Sequence, residues 1–227
     1  MSTTLVFAGG PPGAPVPSPA AVRAVAEELL GSPTGLRVVA ADSGLHLAEA
    51  LGVVPDVVVG DMDSVTGGAL ERVAAAGARI ERHPEDKDRT DLELALAVAA
   101  AEAPERIVVI ASADGRLDHL LGVVAAVTTP ALAPVEVTAW VGPHRVLPVH
   151  SRRTVSGVPG ALVSLLAVGG PARGVSTTGL HWPLEREDLD PFAGRSLSNR
   201  FAGAAATVEV AAGALVVIIP EEEEEPS

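Results

Sequence analysis

The chain has no cysteine and no tyrosine, and aromatic residues make up 2% of its 227 residues. Without cysteine the protein can form neither a disulfide nor a thiolate zinc site, and it cannot use a cysteine nucleophile. No apolar run approaches the roughly 18 residues of a membrane-spanning helix, and no basic segment precedes the first apolar run, as it would in a secretion signal. We therefore expect a cytoplasmic protein.

Basic residues are scarce relative to acidic ones. The chain has 16 Lys and Arg against 29 Asp and Glu, a formal net charge of −13. Non-specific nucleic-acid binding needs a basic surface, so this class of function is disfavoured. Part of the negative charge comes from five consecutive glutamates near the end of the sequence. We predict that residues 221–227 form a disordered acidic tail.

Hydrophobic patterning divides the chain into two parts. Up to residue 149, short apolar runs alternate with helical stretches of about 10 to 15 residues, which predicts βαβ units and a mostly parallel, Rossmann-like sheet. One of these helices is predicted to begin after Ser18 and to end at Gly31. Over residues 150–220, short β-like runs are separated by Gly and Pro, which is typical of a small all-β sandwich. The predicted domains are therefore 1–149, α/β, and 150–220, all-β.

Aspartates follow several of the predicted strands. Asp42 in ADSG and Asp61 in GDMDS come directly after apolar runs, at strand ends that border the ligand crevice of an open α/β sheet. In an extended segment Asp61 and Asp63 would point to the same side and form half of a Mg²⁺ shell. Gly60 would let the backbone approach a ligand closely. The alternative is an Asp-rich turn that caps the next helix.

The segment DKDRTDLELAL begins a strongly patterned helix. One interpretation is that Asp88 and Asp91 reach the metal crevice while Lys87 faces phosphate. The other is that the segment only caps the helix, through Thr90 or Asp88. The residues alone leave both open.

The segment DGRLDH follows a buried strand and begins another helix. Arg116 is therefore placed to contact phosphate from a helix N-terminus. Asp118 could orient Arg116 or bind metal, and His119 could donate to a ligand or only pack.

The glycines after the first predicted strand do not form a known phosphate-binding loop. Gly9, Gly10 and Gly13 could approach phosphates, but the prolines among them remove N–H donors. The segment matches neither a Walker loop nor G-x-G-x-x-G, which disfavours a P-loop kinase.

The order of these motifs resembles the thiamine pyrophosphokinase family. ADSG, GDMDS, DKDRTD and GRLDH follow one another at the edge of one predicted sheet. In the second domain, STTGLHWPL and RSLSN resemble that family's thiamine-binding segments. The resemblance implies that the protein transfers the pyrophosphoryl group of ATP to the hydroxyl of thiamine, giving thiamine diphosphate and AMP. It also implies Mg²⁺ as cofactor and a homodimer whose active sites lie between subunits.

The resemblance assigns roles to the residues that match its motifs. It implies a metal and catalytic centre of Asp42, Asp61, Asp63 and Asp91, flanked by Lys87, Asp88, Arg116 and Asp118, with thiamine held by Trp182, Ser196, Ser198 and Asn199. Asp63 or Asp91 would accept the proton of the thiamine hydroxyl. Trp182 would offer its π face to the cationic thiazolium, unless it is a core residue of the sandwich. Arg200 places a positive charge close to this cation site.

Three other functions are compatible with the sequence. A pyrophosphokinase acting on a hydroxymethyl pterin would keep the chemistry and change the acceptor. A non-catalytic nucleotide- or thiamine-binding module would keep the fold, although it would not need so many mutually repelling carboxylates. A plain nucleotide hydrolase would release AMP or phosphate without thiamine.

Overall fold

The computed structural model describes residues 2–9, 35–112, 117–191 and 193–220. The chain forms two compact units: Met1–Ala126 with Val135–Pro143, and Val127–Pro134 with His144–Ser227. The helix predicted after Ser18 and the acidic tail lie outside the described residues, as do Gly10, Gly13 and Arg116.

The described part of the first unit contains a sheet of six parallel strands. In chain order they are β1 (Thr3–Ala8), β2 (Leu36–Ala41), β3 (Val57–Gly60), β4 (Arg79–Arg82), β5 (Arg106–Ala111) and β6 (Glu136–Val141). Their order in the sheet is β6-β5-β1-β2-β3-β4, with every neighbouring pair parallel. The chain winds in both directions from β1, so ligands are expected at the carboxyl ends of these strands.

In the described residues, four helices connect the strands of this sheet. They are α1 (Gly44–Ala50), α2 (Ala69–Ala75), α3 (Asp91–Ala100) and α4 (Leu117–Val127). Leu45 of α1 and Val73 of α2 pack in one core with Phe7 of β1, whereas α3 packs against β1, β2 and β3. A Cβ on Gly44 would collide with the carbonyl oxygen of Phe7, so only glycine lets α1 begin this close to the sheet.

The described part of the second unit contains two antiparallel sheets. Its strands are β7 (His144–Val149), β8 (Arg152–Ser156), β9 (Leu162–Ala167), β10 (Ala172–Thr178), β11 (Glu187–Leu189), β12 (Asn199–Arg200), β13 (Ala205–Glu209) and β14 (Leu215–Pro220). Within this unit one sheet has the order β12-β9-β14-β7 and the other β11-β10-β13-β8. β7, which the sequence pattern groups with the first domain, pairs with β14.

The two sheets of the second unit share one apolar core. Leu165 and Leu215 from the first sheet pack in the same cluster as Val175 and Val208 from the second. In β9 and β13, alternate residues are buried, as in the strands of a sandwich. The predicted fold class, a parallel α/β part followed by a β sandwich, is confirmed. Among the described residues, no helix has the length and apolar character needed to span a membrane.

Candidate active site

Three aspartates converge at the carboxyl ends of the parallel strands. Asp42 directly follows β2, Asp61 directly follows β3, and Asp91 is the first residue of α3. One carboxylate oxygen of each lies within 4.8 Å of the other two, and these three form the only such acidic group in the described residues. Asp42 and Asp61 are 19 residues apart in the chain, and Asp61 and Asp91 are 30 apart. They lie close together in space because parallel strands end at one edge of the sheet.

Gly60 makes this convergence possible. Its φ is +150°, and a Cβ built on it would lie 3.0 Å from Cβ of Asp42 and 3.0 Å from Oδ1 of Asp91. Any larger residue would push these side chains apart. The sequence predicts that Gly60 lets the backbone approach a ligand. In the structure, the groups nearest to the position of a Cβ on Gly60 are the side chains of Asp42 and Asp91.

Asp42 is the buried member of the group, with 7% of its surface exposed. Its Oδ1 is buried and has no hydrogen-bond partner. Burial raises the pKa of the Asp42 carboxyl, and the Ser43 N–H and the Ser64 hydroxyl only partly offset this. A buried carboxylate oxygen without a donor is unfavourable unless a cation approaches it.

Lys87 bridges the other two aspartates. Its Nζ lies 3.0 Å from Oδ2 of Asp61 and 2.7 Å from Oδ1 of Asp91. Burial by itself would lower the pKa of Lys87, but the hydrogen bonds and charges of Asp91 and Asp61 outweigh it and raise that pKa. The Asp63 N–H lowers the pKa of Asp61 most, and Lys87 lowers it further. Lys87 therefore stays an ammonium and Asp61 a carboxylate at neutral pH.

The donor set of this group fits a hard divalent cation. Three carboxylates against one ammonium leave an excess of two negative charges when all are ionised. Oxygen donors are those that Mg²⁺ prefers in proteins. The unpartnered Oδ1 of Asp42 is the oxygen that such an ion would satisfy.

Asp63 lies outside the three-aspartate group. The backbone turns at Met62, which has φ +69° and is 6% exposed because its side chain packs in the core. The prediction of an extended GDMDS segment is therefore wrong, although Asp63 still contacts Asp61 through its N–H at 3.2 Å and through its side chain. Asp63 is exposed and accepts a hydrogen bond from the Ser64 hydroxyl at 2.8 Å.

Among the described residues, the other side chains that were predicted to contact phosphate lie at the protein surface. Asp88 is exposed, and Thr90 caps α3 through a capping box with Glu93. Asp118 and His119 are exposed near the start of α4, where the His119 N–H donates to Oδ1 of Asp118 at 3.0 Å. Arg116 is outside the described residues.

A polar network that sequence reasoning missed holds the loop after GDMDS. Nε2 of His46 accepts a hydrogen bond from the Thr66 N–H at 3.2 Å. Arg72 donates to Glu49 through Nε and Nη2 and to the carbonyl of Gly67 at 2.9 Å. His46 and Glu49 have the i, i+3 spacing of neighbours on one helix face, but nothing in the sequence connects them to a loop 20 residues away.

Three of the predicted thiamine residues lie in two loops of the second unit, and Asn199 begins β12 directly after the second loop. Trp182 is 56% exposed, and its ring meets that of His181 edge-on at 4.6 Å between centroids. This exposure rules out a core role for Trp182 in the chain. Ser196 is partly buried and Ser198 exposed, and both adopt the left-handed conformation, with φ of +70° and +54°. Asn199 is 1% exposed.

Two arginines flank these serines, and both are engaged elsewhere. Arg195 forms a two-pronged ion pair with Glu187, with its shortest contact at 2.7 Å. Nη1 of Arg200 donates to the carbonyl of Gly160 at 2.6 Å. Each guanidinium group is therefore hydrogen-bonded to a residue other than Trp182.

Comparison with known proteins agrees with this architecture. Residues 34–138 match the family model described as thiamin pyrophosphokinase, catalytic domain. Residues 149–215 match the model described as thiamin pyrophosphokinase, vitamin B1 binding domain. The chain belongs to the thiamine pyrophosphokinase family. The first match contains the three converging aspartates and Lys87, and the second contains both loops around Trp182.

Named relatives of this family match parts of the chain. Thiamine pyrophosphokinase of Bacillus subtilis is 35% identical over 81 residues, 36% of this chain and 38% of that protein. Thiamine pyrophosphokinase 1 of Oryza sativa is 26% identical over 147 residues, 60% of this chain and 54% of that protein. The chain thus aligns with about half or less of the length of these two relatives.

Solved structures share the fold over nearly the whole chain. The crystal structure of the Bacillus subtilis thiamine pyrophosphokinase has a TM-score of 0.80 and 20% identity, covering 98% of this chain and all of that one. The Candida albicans thiamin pyrophosphokinase has a TM-score of 0.72 and 14% identity, covering 97% and 90%. At these identities the likeness concerns the fold alone.

Proposed function

We propose that this protein is an ATP-dependent thiamine pyrophosphokinase, which transfers the pyrophosphoryl group of ATP to the hydroxyl of thiamine and releases AMP. The observation that carries the proposal is the convergence of Asp42, Asp61 and Asp91 around the unpartnered Oδ1 of Asp42. The membership of the family and the exposed Trp182 support the choice of substrates.

In this proposal Asp42, Asp61 and Asp91 would hold Mg²⁺. The bound ion would neutralise the triphosphate and orient it for in-line attack. Lys87, whose ammonium already lies between two of the carboxylates, would contact phosphate oxygens and position them. From their positions in the sequence motifs, Arg116, Asp88 and Asp118 are proposed to complete the phosphate surroundings.

The reaction exchanges one phosphorus–oxygen bond for another. The thiamine hydroxyl oxygen bonds to the β-phosphorus, and the bond from that phosphorus to the oxygen bridging it to the α-phosphorus breaks, so AMP leaves with the bridging oxygen. The hydroxyl proton needs an acceptor. Asp91 already pairs with Lys87 at 2.7 Å, whereas Asp63 is exposed and outside the cation group. We therefore assign the general base to Asp63.

Thiamine is proposed to bind at the Trp182 loop. An exposed indole face attracts a cationic thiazolium by roughly 0.5 to 2 kcal/mol. Ser196 and Ser198 lie on the adjacent loop and offer hydroxyl groups. Arg195 forms an ion pair with Glu187, which lowers its repulsion of a cationic substrate, and Arg200 is directed to the carbonyl of Gly160.

A homodimer with active sites between subunits and a cytoplasmic location are parts of the same proposal. Sedimentation of the purified protein tests the first. A single species at monomer mass under assay conditions would contradict it.

The deciding experiment measures AMP release from Mg·ATP with and without thiamine, with products identified by mass. We expect AMP and thiamine diphosphate to appear in equal amounts, and only with thiamine. AMP formed equally without thiamine would indicate a hydrolase. AMP formed only when a hydroxymethyl pterin replaces thiamine in the assay would indicate the alternative acceptor.

A further inference from the structure

One buried side chain joins the two loops that carry the proposed thiamine residues. Residues 179–184 form the loop with Trp182, and residues 195–198 form the loop with Ser196 and Ser198. Asn199 comes at the start of β12, directly after the second loop, and is 1% exposed. Its side chain is thus inside the second unit and not on its surface.

The amide of Asn199 is fully used by protein groups. Its Oδ1 accepts from the N–H of Trp182 at 3.1 Å and from that of Arg200 at 2.8 Å. Its Nδ2 donates to the carbonyl of Trp182 at 2.8 Å and to Oγ of Ser196 at 3.5 Å. A carboxamide has two acceptor sites and two donor hydrogens. Asn199 therefore has no hydrogen-bonding capacity left for a substrate.

The second loop is held against β9 as well. The carbonyl of Ser196 accepts from the N–H of Leu165 at 3.0 Å, and the N–H of Ser198 donates to Oγ of Ser164 at 3.0 Å. Left-handed serines such as these persist only where surrounding contacts hold them. Asn199 connects this fixed loop to the backbone of Trp182.

We propose that Asn199 is a positioning residue: its buried amide fixes the backbone of Trp182 to the Ser196 loop, so that the exposed indole is already oriented for a cationic substrate. It makes no contact with that substrate. The identity of the substrate rests on the proposed function. Orientation before binding lowers the ordering cost of binding, so its loss should weaken thiamine more than it slows the chemical step.

Two variants test this. Asn199→Asp keeps oxygen acceptors for the two N–H groups but cannot donate to the Trp182 carbonyl, and Asn199→Ala removes every contact. We expect the thiamine KM to rise at least about tenfold in the alanine variant and less in the aspartate variant. We expect kcat and the KM for ATP to stay within about twofold. Thr154→Ala, which loses only a surface hydrogen bond to Thr207 at 3.1 Å, is the control.

A readout without substrate separates this inference from the proposed function. The chain has two tryptophans, so 5-fluorotryptophan labelling gives two fluorine resonances, assigned with Trp182→Phe. We expect both Asn199 variants to shift or broaden the Trp182 resonance, while that of Trp140, which lies in the core of the first unit, stays unchanged. This result is independent of whether thiamine is the substrate.

Two results would overturn the inference. A raised thiamine KM with an unchanged Trp182 resonance would mean that Asn199 touches the substrate. A changed resonance with an unchanged KM would mean that the indole orientation does not matter for binding. If Asn199→Ala fails to fold by circular dichroism, the same two comparisons are made with Asn199→Asp, which retains the two hydrogen bonds that Oδ1 accepts.

Discussion

The α-carbon of Gly60 faces the carboxylate of Asp91 so closely that a Cβ on it would lie 3.0 Å from Oδ1. The same Cβ would lie 3.0 Å from Cβ of Asp42. Gly60 is therefore the spacer that sets how near the carboxylates of two different elements can come. The geometry of the three-aspartate group depends on a residue that has no side chain.

Gly60→Ala should disrupt the three-aspartate group. The added methyl would displace Asp42 or Asp91, and a misplacement of about 1 Å in catalytic groups can lower kcat about 100-fold. The alanine would also be strained at φ +150°. Gly77→Ala is the matched control, because Gly77 has φ +101° with no atom within 4 Å of its Cβ position. We expect Gly77→Ala to lose stability but keep kcat, and equal losses of kcat would contradict this account.

Asp61→Asn and Asp63→Asn should differ in metal binding. Asp61 belongs to the three-aspartate group, so Asp61→Asn should weaken Mn²⁺ binding, measured by electron paramagnetic resonance. It should also lower kcat about 100-fold or more. Asp63→Asn should leave Mn²⁺ binding near normal and lower kcat. Loss of Mn²⁺ binding in both variants would make Asp63 a ligand instead of a base.

Trp182→Ala should weaken thiamine binding without unfolding the protein. The side chain is 56% exposed, so little core packing is lost. A lost cation–π contact of roughly 0.5 to 2 kcal/mol corresponds to a rise of about 2- to 30-fold in the thiamine KM. The KM for ATP should not change. Equal effects on both substrates, or a large fall in the unfolding temperature, would argue against this role.

Asp188 should stabilise the second unit in a pH-dependent way. The N–H of Gly174 lowers the pKa of Asp188 most, and the Arg173 guanidinium lowers it further. Because the folded pKa lies below the ordinary value of 3.8, the stabilisation is complete above that value and is lost as pH falls through the folded pKa.

Urea unfolding between pH 3 and 7 checks the role of Asp188. Asp188→Asn should lower the urea midpoint at pH 7 and flatten its fall toward acid pH. Glu185→Gln removes the same charge from a neighbouring exposed position and should leave both unchanged. Parallel pH curves for the wild type and Asp188→Asn would contradict the prediction.

Short sequence patterns predicted most of the helices and strands, because each of these elements forms from neighbouring residues in the chain. Apolar runs of four to six residues become strands wherever they are buried, and Thr90 with Glu93 marks the start of α3 as a capping box. The short strands β11 and β12 were not predicted, because three and two residues carry no periodic signal. Their pairing depends on β10 and β9 beside them.

The sequence alone placed Asp42 and Asp61 at one edge of the sheet, since parallel strands followed by helices bring their carboxyl ends together, and it left open whether Asp91 joins them. Only the tertiary structure decided how these residues and their neighbours are used. Packing of Met62 in the core turns the chain, so that Asp63 contacts Asp61 but lies outside the three-aspartate group. Because Asn199 is buried, its side-chain amide forms hydrogen bonds with the backbone of Trp182, 17 residues away in the chain. Such choices depend on which groups lose water when the whole chain packs, and a local pattern does not contain that information.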